Sequence, residues 1–363
     1  MLNLTKFILK RLLLDTEKLR FALPRMFPPS EPKLTALRIK NFISTYLAWK
    51  YGLKFNTKPI ILQIEPVRGC NLNCIMCGAG LLKPQKLSFD DFKKIIDHFP
   101  EAMVITLNYI GEPFLSKDIL KMIKYAQKKT ILIIFSNFTV LPPAEDIINS
   151  GLFEIHASID SFDKEKYNFI RRKLNSTEFD FPNQNHDTLQ IVIKNLKNLI
   201  YTRNKLKKKL PIISISSVFA KETKEDAEDI IKNAIDLGVD RVKFQKINSD
   251  ISDFLHIPDI NDFYYILELK EKYKNQIEVS IVNFEFGGDY PKGYCYLAYF
   301  MVLIDANKRI SPCCMPHSYG SYFGEASSQE NIRVAIENRQ KLIKNFRSSP
   351  PNFCIECPLY FRK

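Results

Sequence analysis

Between Ile60 and Ile247, apolar runs of strand length and amphipathic stretches of helix length take turns along the chain. The strand-like runs are Ile60–Glu65, Met103–Ile110, Thr130–Phe135, Phe153–Asp160, Ile212–Phe219 and Asp240–Ile247. Between them, Ser88–Ile96 opens with a Ser cap and an acidic first turn, and Lys117–Lys128 continues the helical series. A third helix closes at Asp146–Ser150, a fourth lies near Thr188–Tyr201, and Lys224–Leu237 is ended by Gly238. Parallel strands need a crossover between them, and a helix is the usual one. The alternation therefore predicts an α/β fold built on a parallel sheet.

Successive side chains on a strand point to opposite faces. In the fourth strand Phe153, Ile155, Ala157 and Ile159 share one face, and Glu154, His156, Ser158 and Asp160 share the other. The same division sets Gln63 with Glu65, Thr106 with Asn108, Ser214 with Ser216, and Lys243 with Gln245. A closed eight-stranded barrel fills its interior with branched aliphatic side chains. Here the inward face is polar on most strands. Unpaired buried polar groups are costly, so the pattern predicts a wet cavity that holds a ligand. Glu65, Asp160 and Lys243 lie on that face and are the candidate general bases. His156 is either a cavity histidine with its bonds satisfied or a catalyst.

Directly after the first strand come Cys70, Cys74 and Cys77, spaced C-x3-C-x2-C. They fall on a loop at a strand's C-terminal end, where α/β barrels hold their chemistry. A structural zinc is closed by four protein ligands, and a cube of four irons and four sulfides has four corners. Three thiolates leave one corner open. Eight cysteines in 363 residues with no secretion signal argue for a reducing, cytoplasmic setting and against a disulfide here. A zinc knuckle that borrows a distant fourth ligand is the alternative.

This spacing, on this loop, resembles the radical S-adenosylmethionine (radical SAM) superfamily. Met76 stands where an aromatic residue is usual. The resemblance implies a partial (β/α)6 barrel in which Cys70, Cys74 and Cys77 hold a [4Fe–4S] cluster whose open iron binds SAM. An electron from a flavodoxin or ferredoxin would then yield a 5′-deoxyadenosyl radical that takes hydrogen from a substrate C–H bond. Gly111-Glu112-Pro113 resembles the glycine/glutamate motif that binds the SAM ammonium, with one glycine where many members have two. Ser136-Asn137 resembles the pair near the ribose, and Ser158-Ile159-Asp160 the family's Ser-x-Asp. Arg171 takes the place of an arginine paired to the SAM carboxylate, with Arg172 beside it as a competitor.

Toward the C-terminus lie Cys295, Cys313, Cys314, Cys354 and Cys357. Tyr299–Asp305 and Arg309–Pro312 alternate around Asp305-Ala306-Asn307-Lys308 and predict a hairpin, followed by a helix from about Asn331 to Phe346. This layout is similar to the SPASM/twitch region of some radical SAM enzymes. The resemblance implies one auxiliary [4Fe–4S] cluster on Cys295, Cys313, Cys354 and Cys357. Cys314 falls one residue too far, and zinc on the same four thiols is the alternative. Lys308 stands where the family has glycine, and Asn307 is expected to carry the turn instead, since asparagine tolerates positive φ.

Length allows one barrel with appendages, divided as 1–57 (a basic amphipathic helical extension), 58–285 (the barrel) and 286–363 (the auxiliary-cluster region). The extension carries eleven Lys and Arg against three Asp and Glu, and so most of the net charge of +13. Met1–Leu14 and Lys33–Lys54 mix aliphatic and basic residues around Pro24, Pro28, Pro29 and Pro32. They read either as helices packed on the barrel or as a surface for anionic lipid or an acidic partner. The basic residues interleave with aliphatic rather than aromatic side chains, which disfavours nucleic acid.

The whole reading is a radical SAM enzyme acting by net oxidation on a small molecule, a sugar or a lipid-linked substrate. A peptide-modifying maturase is the alternative within the superfamily, and a non-catalytic iron–sulfur or zinc scaffold the alternative outside it.

Overall fold

The structure, a computed structural model, describes residues 16–172, 187–247, 254–282, 295–313, 321–355 and 357. Apart from a small antiparallel pair, Val67–Arg68 with Gln85–Lys86, its strands are β1 (Ile61–Ile64), β2 (Val104–Leu107), β3 (Ile131–Ser136), β4 (Glu154–Ser158), β5 (Ile212–Phe219), β6 (Arg241–Lys246), β7 (Glu278–Val282), β8 (Met301–Ile304), β9 (Arg309–Ser311) and β10 (Gly324–Glu325). They form one sheet in the order β10-β9-β8-β1-β2-β3-β4-β5-β6-β7. From β8 across to β7 every neighbour is parallel, and only β8–β9 and β9–β10 are antiparallel. β10 and β7 are the two edges, so the barrel is open.

The helices are α1 (Thr16–Met26), α2 (Pro32–Tyr51), α3 (Phe89–His98), α4 (Ile119–Ala126), α5 (Ala144–Asn149), α6 (Lys164–Ile170), α7 (Thr188–Lys205), α8 (Asp226–Leu237), α9 (Ile260–Tyr273), α10 (Tyr296–Phe300), α11 (Gln329–Asn345) and α12 (Asn352–Ile355). Helices α3 to α9 stand between consecutive strands from β1 to β7, as crossovers between parallel strands require. Ser88 caps α3 by accepting from Asp91 N, and Gly238 ends α8 in the left-handed conformation.

β1 to β6 are the six strands expected of the barrel, and β7 extends the sheet on one side and β8 on the other. The expected hairpin forms between β8 and β9, and β8 also lies parallel to β1, with Ile61 opposite Met301 and Ile64 opposite Ile304. The run expected as a strand from Tyr299 begins as helix α10 and turns into β8 only at Met301. The hairpin's turn is a correction too. Lys308, not Asn307, takes the positive φ, at 68°. The Asp305 carboxylate accepts from Asn307 N and Arg309 N, both at 2.9 Å, and this fixes which residue must bend back. The boundary expected at 285/286 lies outside the described residues, as do Met1–Leu14 and Cys314.

The strands' aliphatic face packs under the helices, with Ile64, Leu107, Ile134, Ile155, Ile215 and Phe244 fully buried. A second core closes the floor at the strands' N-terminal ends, where Phe42 and Trp49 of α2 meet Phe300, Val104, Ile131, Phe153 and Ile212. Arg38 locks this floor. Its guanidinium donates to the carbonyls of Arg25, Met26, Pro100, Ala102 and Lys129 at 2.7–3.2 Å. Burial without a carboxylate in contact pushes its pKa down to about 10. α2 thus packs on the barrel, while Lys33, Leu37, Ile39, Lys40 and Ile43 face outward. Among the described residues no helix is long and apolar enough to cross a membrane.

Candidate active site

The cysteine loop is hung from two directions. Gly69, at φ 99°, bridges Gly111 in parallel fashion and turns the chain out of β1. On the other side, Asn73 N donates to Arg172 O (2.6 Å) and Ile75 N to Ile170 O (2.9 Å), so the loop rests on the end of α6. Cys70, Cys74 and Cys77 are all free thiols. The Cys70 sulfur accepts from Leu72 N and from the Asn137 amide, each at 3.4 Å. Burial pushes the Cys70 thiol far up, aided by the charges of Glu112, Cys74 and Cys77. Burial likewise raises Cys74 to about 11, partly offset by Arg171. Thiols in such a field ionise only beside a strong cation, which is what an iron cluster brings. No three described His, Cys, Asp or Glu side chains converge tightly enough for a single metal ion.

Beside this loop, Gly111, Glu112 and Pro113 close the end of β2. A Cβ on Gly111 would come within 2.1 Å of Val67 O, so only glycine permits the backbones to approach this way. Pro113 begins a short 3-10 turn capped by Glu112. The Glu112 carboxylate is 2% exposed and accepts from Asn137 N (2.7 Å), Ser136 Oγ (2.8 Å) and Phe114 N (3.2 Å). No cation lies within salt-bridge range of it among the described residues. Burial raises its pKa to about 7 despite those three bonds. A buried carboxylate so placed is suited to an ammonium. Ser136 and Asn137, expected near a ribose, are turned toward the protein: Ser136 serves Glu112, and the Asn137 side chain holds Cys70 and Asn71.

Across the mouth, Asp160 and Arg171 form a buried ion pair, with Nε to Oδ2 at 2.7 Å, and Asp160 also accepts from Val218 N. Arg171 was expected to stand ready for a SAM carboxylate. The structure instead spends its Nε edge on Asp160, whose charge, with that of Cys74, raises the arginine's pKa against the effect of burial. Arg172 stays exposed, its guanidinium over the Phe169 ring. Ser158 is half-buried on the lumen face, in register with Ser216.

Glu65 is taken up by a buried network. It accepts from Ala306 N (2.9 Å) and Ile110 N (3.2 Å) and pairs with Arg68 (3.1 Å), which reaches on to Asp305 at 2.9 Å. This fully buried network ties the hairpin's turn to the end of β1. Deeper in the lumen, Glu154 takes Ser214 Oγ (2.8 Å), Arg241 (2.9 Å) and His156 Nε2 (3.2 Å). Burial opposes its ionisation, but His156 and Arg241 hold its carboxyl well below the usual range. Lys243 stands over the Phe135 ring at 4.6 Å, and burial lowers its pKa to about 8.

The second thiol set is gathered from three places: Cys295 before α10, Cys313 after β9, and Cys354 and Cys357 around α12. All four are free. Burial pushes Cys295 up to about 12, with Cys313 and Cys357 adding repulsion. Cys354 rises to about 12 by burial and by the charges of the other three. The four thiols thus lie near enough to one another for each to feel the others' charge.

Residues that sequence reasoning missed are mostly supports. Asn71 and Thr139 brace Asn137, and Arg68 and Asp305 brace Glu65. Gly69 alone had a signal, a glycine placed immediately before the first cysteine.

Comparison with known proteins agrees with this geometry. The model of the radical SAM superfamily matches residues 64–245. GTP 3′,8-cyclase of Campylobacter jejuni subsp. doylei is 24% identical over 325 residues, covering 80% of this chain and 91% of that protein. The tungsten-containing aldehyde ferredoxin oxidoreductase cofactor-modifying protein of Pyrococcus furiosus is 22% identical over 236 residues, covering 62% and 63%. Among solved structures, Streptococcus suis SuiB bound to precursor peptide SuiA superposes with a TM-score of 0.65 at 17% identity, covering 92% of this chain and 80% of that one. The anSMEcpe structure with bound AdoMet gives 0.57 at 17%, covering 84% and 88%. Members of the matched superfamily use a [4Fe–4S] cluster and SAM, and the three thiols on the first barrel loop beside the buried Glu112 suit both. The chain belongs to the radical SAM superfamily.

Proposed function

We propose that this protein is an oxygen-sensitive radical SAM oxidase of a small molecule, with two iron–sulfur clusters. Bound on Cys70, Cys74 and Cys77 and on Cys295, Cys313, Cys354 and Cys357, the clusters would supply one electron to split SAM into methionine and a 5′-deoxyadenosyl radical and accept one from the oxidised substrate. Glu112 receives the ammonium of SAM, and Gly111 leaves room for the close approach. Asp160 and Arg171, neutralising each other, keep the mouth from carrying a net charge. The lumen holds the substrate, and of the three candidate bases Lys243 is the one neither ion-paired nor enclosed by backbone donors. The proton released when a C–H oxidation becomes a carbonyl passes to water in the lumen, and Lys243 is left to face the substrate. The reductant is a low-potential donor of the flavodoxin or ferredoxin kind.

The observation that carries this reading is Glu112: a buried carboxylate with three hydrogen bonds and no cation in contact, beside three free thiols. Iron quantification and EPR of anaerobically purified, dithionite-reduced protein test it. About eight irons per chain are expected from two four-iron clusters, with a signal that SAM perturbs and with 5′-deoxyadenosine as product. A colourless zinc protein would instead support a scaffold. Conversion of a peptide rather than a small molecule would place the chain with SuiB-like enzymes, whose solved complex holds a precursor peptide.

A peripheral membrane contact is a separate proposal, favoured by α2. That helix carries no acidic residue, and its outward face mixes Leu37, Ile39 and Ile43 with Lys33 and Lys40. It lies at the strands' N-terminal ends, opposite the cysteine loop. Contact there would turn the mouth away from the bilayer, which weighs against a lipid-linked substrate and favours a diffusible one in the cytoplasm.

A further inference from the structure

The lumen wall formed by β4, β6 and β7 contains buried polar atoms that the protein itself leaves without partners. His156 is 2% exposed and its Nδ1 has no hydrogen-bond partner among the described residues. Its Nε2 faces the ionised Glu154 at 3.2 Å, so that nitrogen carries the proton and Nδ1 presents a lone pair. Ser280, 2% exposed, has an unpartnered Oγ. It lies beside Lys243 in the β6–β7 register, and Lys243 lies beside Ser216. Across the lumen, Asn108 Oδ1 is also buried without a donor.

Each such atom costs free energy if nothing fills the space, and three of them facing one lumen describe a ligand. The neighbouring charges define its character. Arg241 is flanked by Glu154 (2.9 Å) and Glu278 (3.0 Å), so that group is closed within itself. Lys243 makes no ion pair among the described residues and rests on Phe135, which stacks on His156 with centroids 4.1 Å apart. The lumen therefore offers one available cation, one hydroxyl and two acceptors. An anion alone would satisfy Lys243 and Ser280 and leave His156 Nδ1 and Asn108 Oδ1 empty. A neutral polyol would do the reverse.

We propose that this wall is the substrate's anchoring subsite and that it takes a small molecule bearing both hydroxyl groups and one anionic group, a carboxylate or a phosphate. Lys243 and Ser280 receive the anion, and His156 Nδ1 and Asn108 Oδ1 accept from hydroxyls. His156 lies four residues before Asp160, about 13 Å deeper along the strand. The anchored end is thus remote from the cysteine loop, and the reacting carbon sits at the opposite end of the molecule. This assignment rests on the proposed radical SAM activity and specifies its substrate class. Lys243 then holds the anion and takes no part in the proton transfer.

The test uses full-length, cluster-loaded protein with SAM bound and follows binding by calorimetry under anaerobic conditions. The probes are sorbitol 6-phosphate, gluconate, sorbitol and hexyl phosphate, which separate phosphate from carboxylate and anion from hydroxyl. At least one of the two hydroxylated anions should bind tenfold or more tightly than sorbitol and than hexyl phosphate. Lys243→Met should remove the preference over sorbitol, and Ser280→Ala should weaken anion binding severalfold. Dithionite-driven 5′-deoxyadenosine formation without probe should persist in both variants, which shows that they fold and load. Equal binding of sorbitol and both hydroxylated anions, or an undiminished preference in Lys243→Met, overturns the subsite. If the wild-type protein forms no 5′-deoxyadenosine, the radical SAM activity fails instead, whatever the probes do.

Discussion

Gly111→Ala tests the proximity on which the candidate site depends. The added methyl would lie 2.1 Å from Val67 O, 2.9 Å from Gly69 O and 3.0 Å from Val67 C. An ordinary carbon–oxygen contact is about 3.3 Å, so the two backbones must separate by roughly 1 Å. The obstacle is main chain, which cannot rotate away as a side chain does. That separation stretches Glu112 N to Gly69 O, now 3.1 Å, and Gly69 N to Ile110 O, now 3.2 Å, past bonding range. Two hydrogen bonds at about 1 kcal/mol each and a crowding cost of about 1–3 kcal/mol give a loss of about 3–5 kcal/mol, read as a lower urea midpoint. The functional loss is larger in proportion, because Cys70 follows Gly69 and Glu112 follows Gly111. A displacement of about 1 Å is enough to cost roughly a hundredfold in rate. Iron per chain and the rate of 5′-deoxyadenosine formation under dithionite are the assays. Gly78→Ala is the control, since its Cβ meets nothing within 4 Å and its φ is −84°. If Gly111→Ala keeps both iron content and rate within twofold of wild type, the close approach of these backbones is not what positions the loop.

Other perturbations separate the parts. Cys74→Ala should abolish 5′-deoxyadenosine formation while Cys354→Ala leaves uncoupled cleavage, and equal total loss in both would mean that the second thiol set is needed for folding. Glu112→Gln should have effects of opposite sign with and without SAM. In the apoprotein Glu112 has its pKa raised from 4.5 to about 7, so its contribution to stability is complete below 4.5 and lost as pH rises through 7. The Gln variant should lack that fall and be more stable at pH 8 by up to about 3 kcal/mol, yet bind SAM much more weakly; urea titrations at pH 5 and 8 with equilibrium dialysis of SAM would reveal unchanged pH dependence if the carboxylate is not the cause. For α2, the double variant Leu37→Asp, Ile43→Asp should float less with anionic vesicles than wild type. Equal flotation removes the membrane contact, and point variants are preferable to truncation because Phe42 and Trp49 on the same helix close the floor.

What could be read from the sequence follows from the range of the forces involved. The period-two alternation in Phe153–Asp160 reports a local fact, which side of a strand faces water, so the polar lumen face was legible before any fold was known. The partner on a strand's far edge is not local: Met301–Ile304 has the same pattern whether it ends a free hairpin or joins β1, and only the structure places Ile61 opposite Met301. Side-chain roles divide in the same way. Glu65, Asp160 and Lys243 share one face and looked equivalent as bases, because face-sharing gives direction but not neighbours. Ala306 N, 241 residues away in sequence, takes up Glu65, and Arg171 takes up Asp160. Lys243 remains because β7, the strand beside it, brings Ser280 rather than a carboxylate to its level, while the nearby Glu278 is drawn to Arg241. A single exchange of charge at that register would reverse this. Placing an acid at Ser280, as Ser280→Asp, would pair Lys243 and close the subsite, leaving the two thiol sets and Glu112 untouched. On the proposed reading, anion anchoring would thus hang on the cross-strand neighbour of Lys243, whereas SAM binding would depend on the loops above it.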